Sequence, residues 1–309
     1  MLAYILRRLL WTPVLLALAA FFVFFMGEIA PGDPAELRLG NRATPEKIEK
    51  ERERLGLDNP LPLRYIRYVG NAVTGDLGDS YHYLGRPVTS VIGPRLWVSV
   101  QLNLVATLIA LVIGLPLGFY AAKRQGTGKD PAIVIGMLVL YALPVFITGP
   151  FLILFFAVKL HWVAAAGWNG MFSTQIILPA LTIGVPGAAI FVRHMRASTL
   201  EVIGQEYVRT ARAKGMSNFV VNYRHIVRNA MLPILTILGF TMAGMLGGSL
   251  IVELIYGIPG VARLSLDAIG QRDFPVLTAF VLLGSLMLVL ANLVIDIAYT
   301  IVDPRIRLQ

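Results

Sequence analysis

Apolar residues in this chain run in long blocks separated by shorter polar stretches. A hydrocarbon core of roughly 30 Å takes about 20 helical residues to cross. Six blocks reach or approach that length: residues 9–30, 96–122, 131–158, 176–192, 230–252 and 274–302. The second and third carry no charge, the first is acidic only at Glu28, and the last is interrupted at Asp296. The pattern predicts an all-α membrane protein with six transmembrane helices. It divides into an N-terminus and first helix at 1–30, an insert at 31–95, and a five-helix core at 96–309. Arg7 and Arg8 precede the first block as in a signal peptide. That block is longer than the roughly 7–15 residues of a secretory core and no small-x-small site closes it, so an uncleaved span is expected.

The polar stretches have their own order. In the insert, Thr44 and Pro45 stand as cap and first residue of a helix, although Lys47 occupies the place of a capping-box partner. Glu46–Arg54 favours helix, and Gly56 ends it. Leu63, Ile66, Val69 and Val73 fall near helical spacing and predict a second short helix lying on the membrane face or against the spans. Gly75–Ser80 reads as turns. Such an insert either closes an outer mouth or docks an external partner.

Residues 193–229 form a long basic loop between the fourth and fifth spans. From Glu201 to Lys214, the residues Ile203, Tyr207 and Ala211 recur every four positions, with Glu201, Glu206, Arg209, Arg212 and Lys214 on other faces. This predicts an amphipathic helix. Gly215 stops it, because glycine takes left-handed backbone angles without penalty. Ser217 is placed to cap a second helix through Arg228, and Pro233 opens the next span. The small Ala211, Ala213 and Gly215 leave a turn thin enough to enter a groove on another protein. The alternative is a basic hairpin lying on anionic lipid.

Charge changes the picture by fixing sides. The chain is 56% hydrophobic and only 15% charged, against about a quarter charged in soluble domains. Its net charge of +9 gathers on one side of the predicted topology. That side holds Arg7, Arg8, Lys123, Arg124, Lys129, the basic loop, Arg305 and Arg307, opposed only by Asp130, Glu201, Glu206 and Asp303. Cytoplasmic loops carry such an excess, so both termini and the basic loop are expected in the cytoplasm, and a nucleic-acid partner is not expected. The chain has no cysteine, which excludes disulfides and thiolate chemistry.

Candidate chemistry within the spans is sparse. Glu28 and Asp296 lie near span ends, and an ion-coupled secondary transporter, the alternative class, would show more polar chemistry at the midplane. Pro116, Pro144, Pro179, Pro186 and Pro233 fall within or beside spans. Span four, with Pro179, Gly184, Pro186 and Gly187, is predicted to be the most broken helix and to line a path. Gly114/Gly118 and Gly244/Gly248 predict close helix packing. His82, His161, His194 and His225 are scattered, and neither a phosphate-binding loop nor a nucleophile elbow occurs. No catalytic residue and no metal site are predicted, so any energy for work comes from outside the chain.

The motifs Pro31-Gly32-Asp33-Pro34, Leu55-Gly56-Leu57-Asp58-Asn59-Pro60-Leu61, Gly75–Ser80, Tyr207–Gly215 followed by Arg224-His225, Glu253–Gly260 and Asp303-Pro304-Arg305 together resemble the permease subunits of ABC importers of the dipeptide/oligopeptide/nickel group. The long insert resembles that of the first of the two permeases in such systems. The general Glu-Ala-Ala-x-x-x-Gly loop of importer permeases is altered here to Arg209, Thr210 and Ala211 ahead of Gly215, as in the peptide group's own version. The resemblance implies a second, homologous permease, two cytoplasmic ATPases that bind the ATP and magnesium, an external substrate-binding protein, and a bacterial inner membrane. It implies that Glu206, Tyr207, Arg209, Thr210, Ala211, Arg212, Ala213, Lys214 and Gly215 couple to the ATPase. The implied cargo is di- or oligopeptide, with nickel, glutathione or another small solute as alternatives.

Overall fold

The structure, a computed structural model, describes residues 2–29, 32–40 and 43–302. Pro31, the closing Asp303-Pro304-Arg305, Arg307 and the side chains of Arg7, Arg8 and Asp296 lie outside the described residues. Regular structure among the described residues is helical, apart from one isolated bridge between Asp79 and Pro87. In chain order the helices begin with α1 (Leu2–Ile29), α2 (Pro34–Leu39), α3 (Pro45–Leu55), α4 (Leu61–Val73) and α5 (Val88–Lys123). There follow α6 (Lys129–Ala142), α7 (Val145–Leu152), α8 (Ile177–Ile203), α9 (Glu206–Ala213), α10 (Asn218–Val220) and α11 (Arg228–Ala230). The chain ends on α12 (Leu232–Gly244), α13 (Leu250–Ile255), α14 (Val261–Gln271) and α15 (Phe274–Val302).

Among the described residues four helices are long and apolar enough to cross a membrane: Leu10–Ile29, Val88–Lys123, Thr174–Ile203 and Phe274–Leu293. The third predicted span is a bent pair instead, at 92° between Lys129–Ala142 and Val145–Lys159, and the fifth begins at a bend of 48° between Asn218–Ala230 and Leu232–Gly244. The first break has a local cause. Leu143 precedes Pro144, the proline ring disfavours helical angles there, and both residues are extended, with ψ of 123° and 133°. Helix α12 stops at Gly244, and after a 3₁₀ turn Gly248 takes a φ of +67°. The fifth block therefore does not run unbroken to residue 252.

Span four corrects its prediction. It is one continuous helix, α8, and it extends past Val192 to Ile203. Pro179 stands in its first turn, where no amide donor is required. Pro186 is carried inside a helix that is packed on most sides.

The described residues form two compact units: one up to Val98 with Gly260–Leu290, the other centred on Ser99–Pro259. In the first, the core is Val88, Val91, Ile92, Val261, Leu264, Ala268, Val276 and Ala279. Helix α3 starts and stops as its sequence predicts, on Thr44 and on Gly56 at φ +66°, although Thr44 makes no side-chain cap bond. Helix α4 lies against α1: the Tyr65 hydroxyl donates to the Ala17 carbonyl at 2.6 Å, and Arg64 grips Glu28 at 2.8 and 2.5 Å. The turn motif Gly75–Ser80 is a clasp. Asp79 pairs with buried Arg38 at 2.9 Å, and Ser80 donates to the fully buried carboxylate of Asp273. The amides of Tyr81 and His82 add bonds of 3.1 and 3.3 Å, as a carboxylate buried away from water requires.

In the second unit α8 is the central helix, and α5 crosses it through glycines. A Cβ at Gly114 would lie 2.6 Å from the Phe191 Cβ, one at Gly118 2.6 Å from the Val192 carbonyl, and one at Gly184 2.6 Å from the Ala106 carbonyl. Close backbone contact of this kind supplies packing energy where lipid tails are as apolar as the side chains. Gly244 has no neighbour within 4 Å of an added Cβ. Its predicted pairing with Gly248 in helix packing is therefore not seen; Gly248 serves the turn instead. Two pairs of buried polar groups meet within the unit: Ser99 donates to Glu253 at 2.7 Å, and the Tyr256 and Thr182 hydroxyls lie 2.7 Å apart.

Candidate functional site

The basic loop folds into a hairpin at the end of α8. The helix stops at Ile203, and Gln205 turns extended at ψ 147° before α9 opens at Glu206. Glu206 in the first turn and Arg212 in the last complement the helix dipole. The single helix predicted over Glu201–Lys214 is thus two, and the break resets the phase of the apolar stripe. Val208 and Ala211 are buried, whereas Tyr207, expected on the inner face with Ile203, is 42% exposed.

At the far end Lys214 leads into Gly215, whose φ is +73°. The turn closes with the Gly215 amide donating to Arg212 at 3.0 Å and the Met216 amide to Ala211 at 3.3 Å. The Ser217 side chain then accepts from the Val220 amide at 3.4 Å, as the cap residue predicts. The returning arm is α10, a π-helical stretch Val221–Val227, and α11. Its inner face carries Val221 and Ile226, both buried. In a regular helix of 3.6 residues per turn, residues five apart point about 140° away from each other. The i→i+5 bonding of the π-helix brings them to one side, where with Val202, Val208 and Ala211 they form part of one core.

Two polar contacts hold the base of the hairpin and α8. Arg196 binds Asp130 through two bonds of 2.5 and 2.7 Å, and Lys123 donates to Asn222 at 3.2 Å. The Arg196 pair is bidentate and charge-assisted, the stronger class of hydrogen bond.

The outer surface of the hairpin is a different matter. Arg209, Thr210, Arg212, Ala213, Lys214 and Gly215 are exposed, and the three cations make no ion pair among the described residues. Beside them Phe219 is 77% and Tyr223 70% exposed, with rings stacked at 6.2 Å. Met216 and Val220 extend the patch. Sequence reasoning missed Phe219 and Tyr223. The available signal was two aromatic residues four apart, which share a helix face, in a stretch already recognised as polar and basic. Partial burial pushes the Tyr207 phenol up in pKa, so it remains a neutral hydrogen-bonding group.

This arrangement presents a surface. Among the described residues no three His, Asp or Glu side chains gather in a metal-binding cluster. His225 lies within the returning arm with its Nε2 buried, and His161 takes a positive φ of 54° in another segment.

Residues 114–308 match the family described as binding-protein-dependent transport system inner membrane component, and residues 1–92 match the N-terminal model of the same transport-system membrane components. The chain is 37% identical over 310 residues to a probable peptide ABC transporter permease of Sinorhizobium fredii, covering 98% of this chain and 99% of that protein. It is 38% identical over 307 residues to the glutathione transport system permease of Shigella flexneri serotype 5b, covering 99% of each. The Escherichia coli K12 glutathione permease matches to the same extent, at 38% over 307 residues. Among solved structures, the inward-facing MetNI methionine ABC transporter shares the fold, with a TM-score of 0.57 at 18% identity over 71% of this chain and 100% of that one. The apolar helices, the hairpin at the end of α8 and these matches place the chain in the binding-protein-dependent transport system inner membrane component family, as a multi-pass, non-catalytic permease subunit of an ABC importer.

Proposed function

We propose that this permease forms half of a translocation path for di- or oligopeptides handed over by an external substrate-binding protein. In this reading it pairs with a second, homologous permease, and two cytoplasmic ATPases bind ATP and magnesium and drive the cycle by hydrolysis. Both termini face the cytoplasm, consistent with the basic excess on that side. The hairpin receives the ATPase motion through Glu206, Tyr207, Arg209, Thr210, Ala211, Arg212, Ala213, Lys214 and Gly215. The observation that carries this assignment is the contrast between its two faces. Val208, Ala211, Val221 and Ile226 anchor the hairpin to its own core, while Tyr207, Phe219, Tyr223 and three unpaired cations are left outward. Ala211 serves from inside, as the anchor of the turn. Aromatic residues, Met and Arg are the residues enriched at protein interfaces.

The relatives named for peptide and for glutathione are equally close in identity. Both names denote small amide-linked solutes, which supports the peptide class over nickel, and glutathione stands as the second reading. The test is reconstitution of the permease pair with its ATPases and binding protein, with Arg209 and Arg212 both changed to Glu. Retention of the ATPases should weaken roughly tenfold, from about 1–2 kcal/mol of lost charge complementarity, and ATP-driven uptake of labelled dipeptide should fall with it. Uptake by this chain alone, under an ion gradient and without ATPases, would sink the proposal. Competition between dipeptide and glutathione decides the cargo.

A further inference from the structure

The first unit holds a cavity of about 240 Å³ that the transport reading does not use. Its floor lies at the ends of two apolar helices, in the last two turns of the first span at Phe24 and Glu28 and the first two of the last at Phe274 and Thr278. The ends of spans about 20 residues long meet the headgroup layer. Three arginines line it. Arg64 is committed to Glu28, and Arg38 to Glu51 and Asp79. Arg67 makes no ion pair among the described residues, and its guanidinium reaches over Gly56, with one nitrogen 2.9 Å from where a Cβ would stand there.

Two further donors on α4 line the same cavity. The Tyr68 hydroxyl is buried without a hydrogen-bond partner, although its ring is stacked on Phe24 at 5.9 Å. Asn71 makes no side-chain hydrogen bond among the described residues. An orphaned buried hydroxyl is costly and calls for a ligand or water. Burial pushes the Tyr68 phenol up in pKa, so it acts as a donor.

From this geometry we infer that Arg67, Tyr68 and Asn71 form a site for a phosphate monoanion, with Phe24 and Phe274 as its apolar wall. Of the charged residues that line the cavity, Arg38, Arg64 and Arg67 stand against Glu28 and Asp79, a surplus of one cation, which matches a phosphodiester or a singly charged phosphate. The source is either the headgroup of an anionic phospholipid, reaching in from the membrane, or free phosphate.

The experiment uses the complete transporter in nanodiscs of phosphatidylcholine, with or without phosphatidylglycerol, and separately in phosphatidylcholine with added inorganic phosphate. Native mass spectrometry reads the lipid retained, and thermal unfolding reads phosphate binding. Wild type should retain phosphatidylglycerol over phosphatidylcholine by about tenfold, the worth of one charge-assisted hydrogen bond, or be stabilised by phosphate. Retention without a phosphate effect assigns the lipid as source; a phosphate effect without retention assigns the free anion. Arg67→Glu, a change at an exposed and unpaired position, should abolish whichever signal appears, and Tyr68→Phe should weaken it several-fold. Absence of both signals in wild type, or a signal that Arg67→Glu leaves intact, overturns the site.

Discussion

Replacing Gly215 separates backbone conformation from bulk at the tip of the hairpin. Its φ is +73°, and no heavy atom lies within 4 Å of an added Cβ. A side chain would meet open space, so the entire cost is conformational. Left-handed angles cost an L-residue roughly 1–2 kcal/mol, with β-branched residues worst and asparagine tolerated. Gly215→Val should therefore strain the turn by that amount while Gly215→Asn strains it little. The core of Val202, Val208, Ala211, Val221 and Ile226 is untouched by either, so both variants should reach the membrane at normal levels. If the tip docks in its observed shape, the valine variant should bind the ATPases about 5–30-fold more weakly, and the asparagine variant close to wild type. Titration of purified ATPase onto permease pairs in nanodiscs, together with ATP-driven uptake, gives both readings. Equal behaviour of valine, asparagine and wild type would refute docking through this turn. Equal failure of valine and asparagine would refute the argument that conformation, and not bulk at an interface, is what Gly215 supplies.

Phe219→Ala should leave unfolding within about ±0.5 kcal/mol of wild type, as exposed substitutions do, while weakening ATPase retention about tenfold if the ring anchors an interface. Gly118→Leu must push α5 off α8, because the added Cβ meets the Val192 carbonyl at 2.6 Å. A loss of at least about 1–3 kcal/mol is expected, visible as a broadened or lost peak in size-exclusion chromatography of the detergent-solubilised complex. Asp273→Ala leaves the Ser80 hydroxyl and the Tyr81 and His82 amides without their acceptor. At about 1–3 kcal/mol for the buried Ser80 hydroxyl, with less from the part-buried amides, thermal unfolding should come earlier and the 75–87 segment should be cut sooner in limited proteolysis.

The lengths of the apolar blocks were legible because crossing a membrane is a one-dimensional requirement, and four of the six appear as single helices. The fate of individual prolines was not. Pro144, Pro179 and Pro186 look alike in sequence, yet only Pro144 stands at a sharp break. Pro179 is spared by its place in the first turn, and Pro186 by the packing around α8. Long-range partnerships were equally hidden: nothing near Ser80 points to Asp273, 193 residues away. The hairpin shows how these two kinds of information combine. Gly215 and Ser217 act locally and did what their chemistry predicts. The stripe through Ile203, Tyr207 and Ala211 assumed an unbroken helix, and periodicity carries a direction only while the helix that defines its phase continues. The extended residue at Gln205 ends one phase and starts another. That reset turns Val208 inward and Tyr207 outward, and so sets Tyr207 on the outer surface of the hairpin, which also carries Phe219, Tyr223 and the free cations. The break that defeated the periodic reading is thus what composes the candidate docking face: a continuous helix over the same residues would bury Tyr207 and leave that face more purely charged.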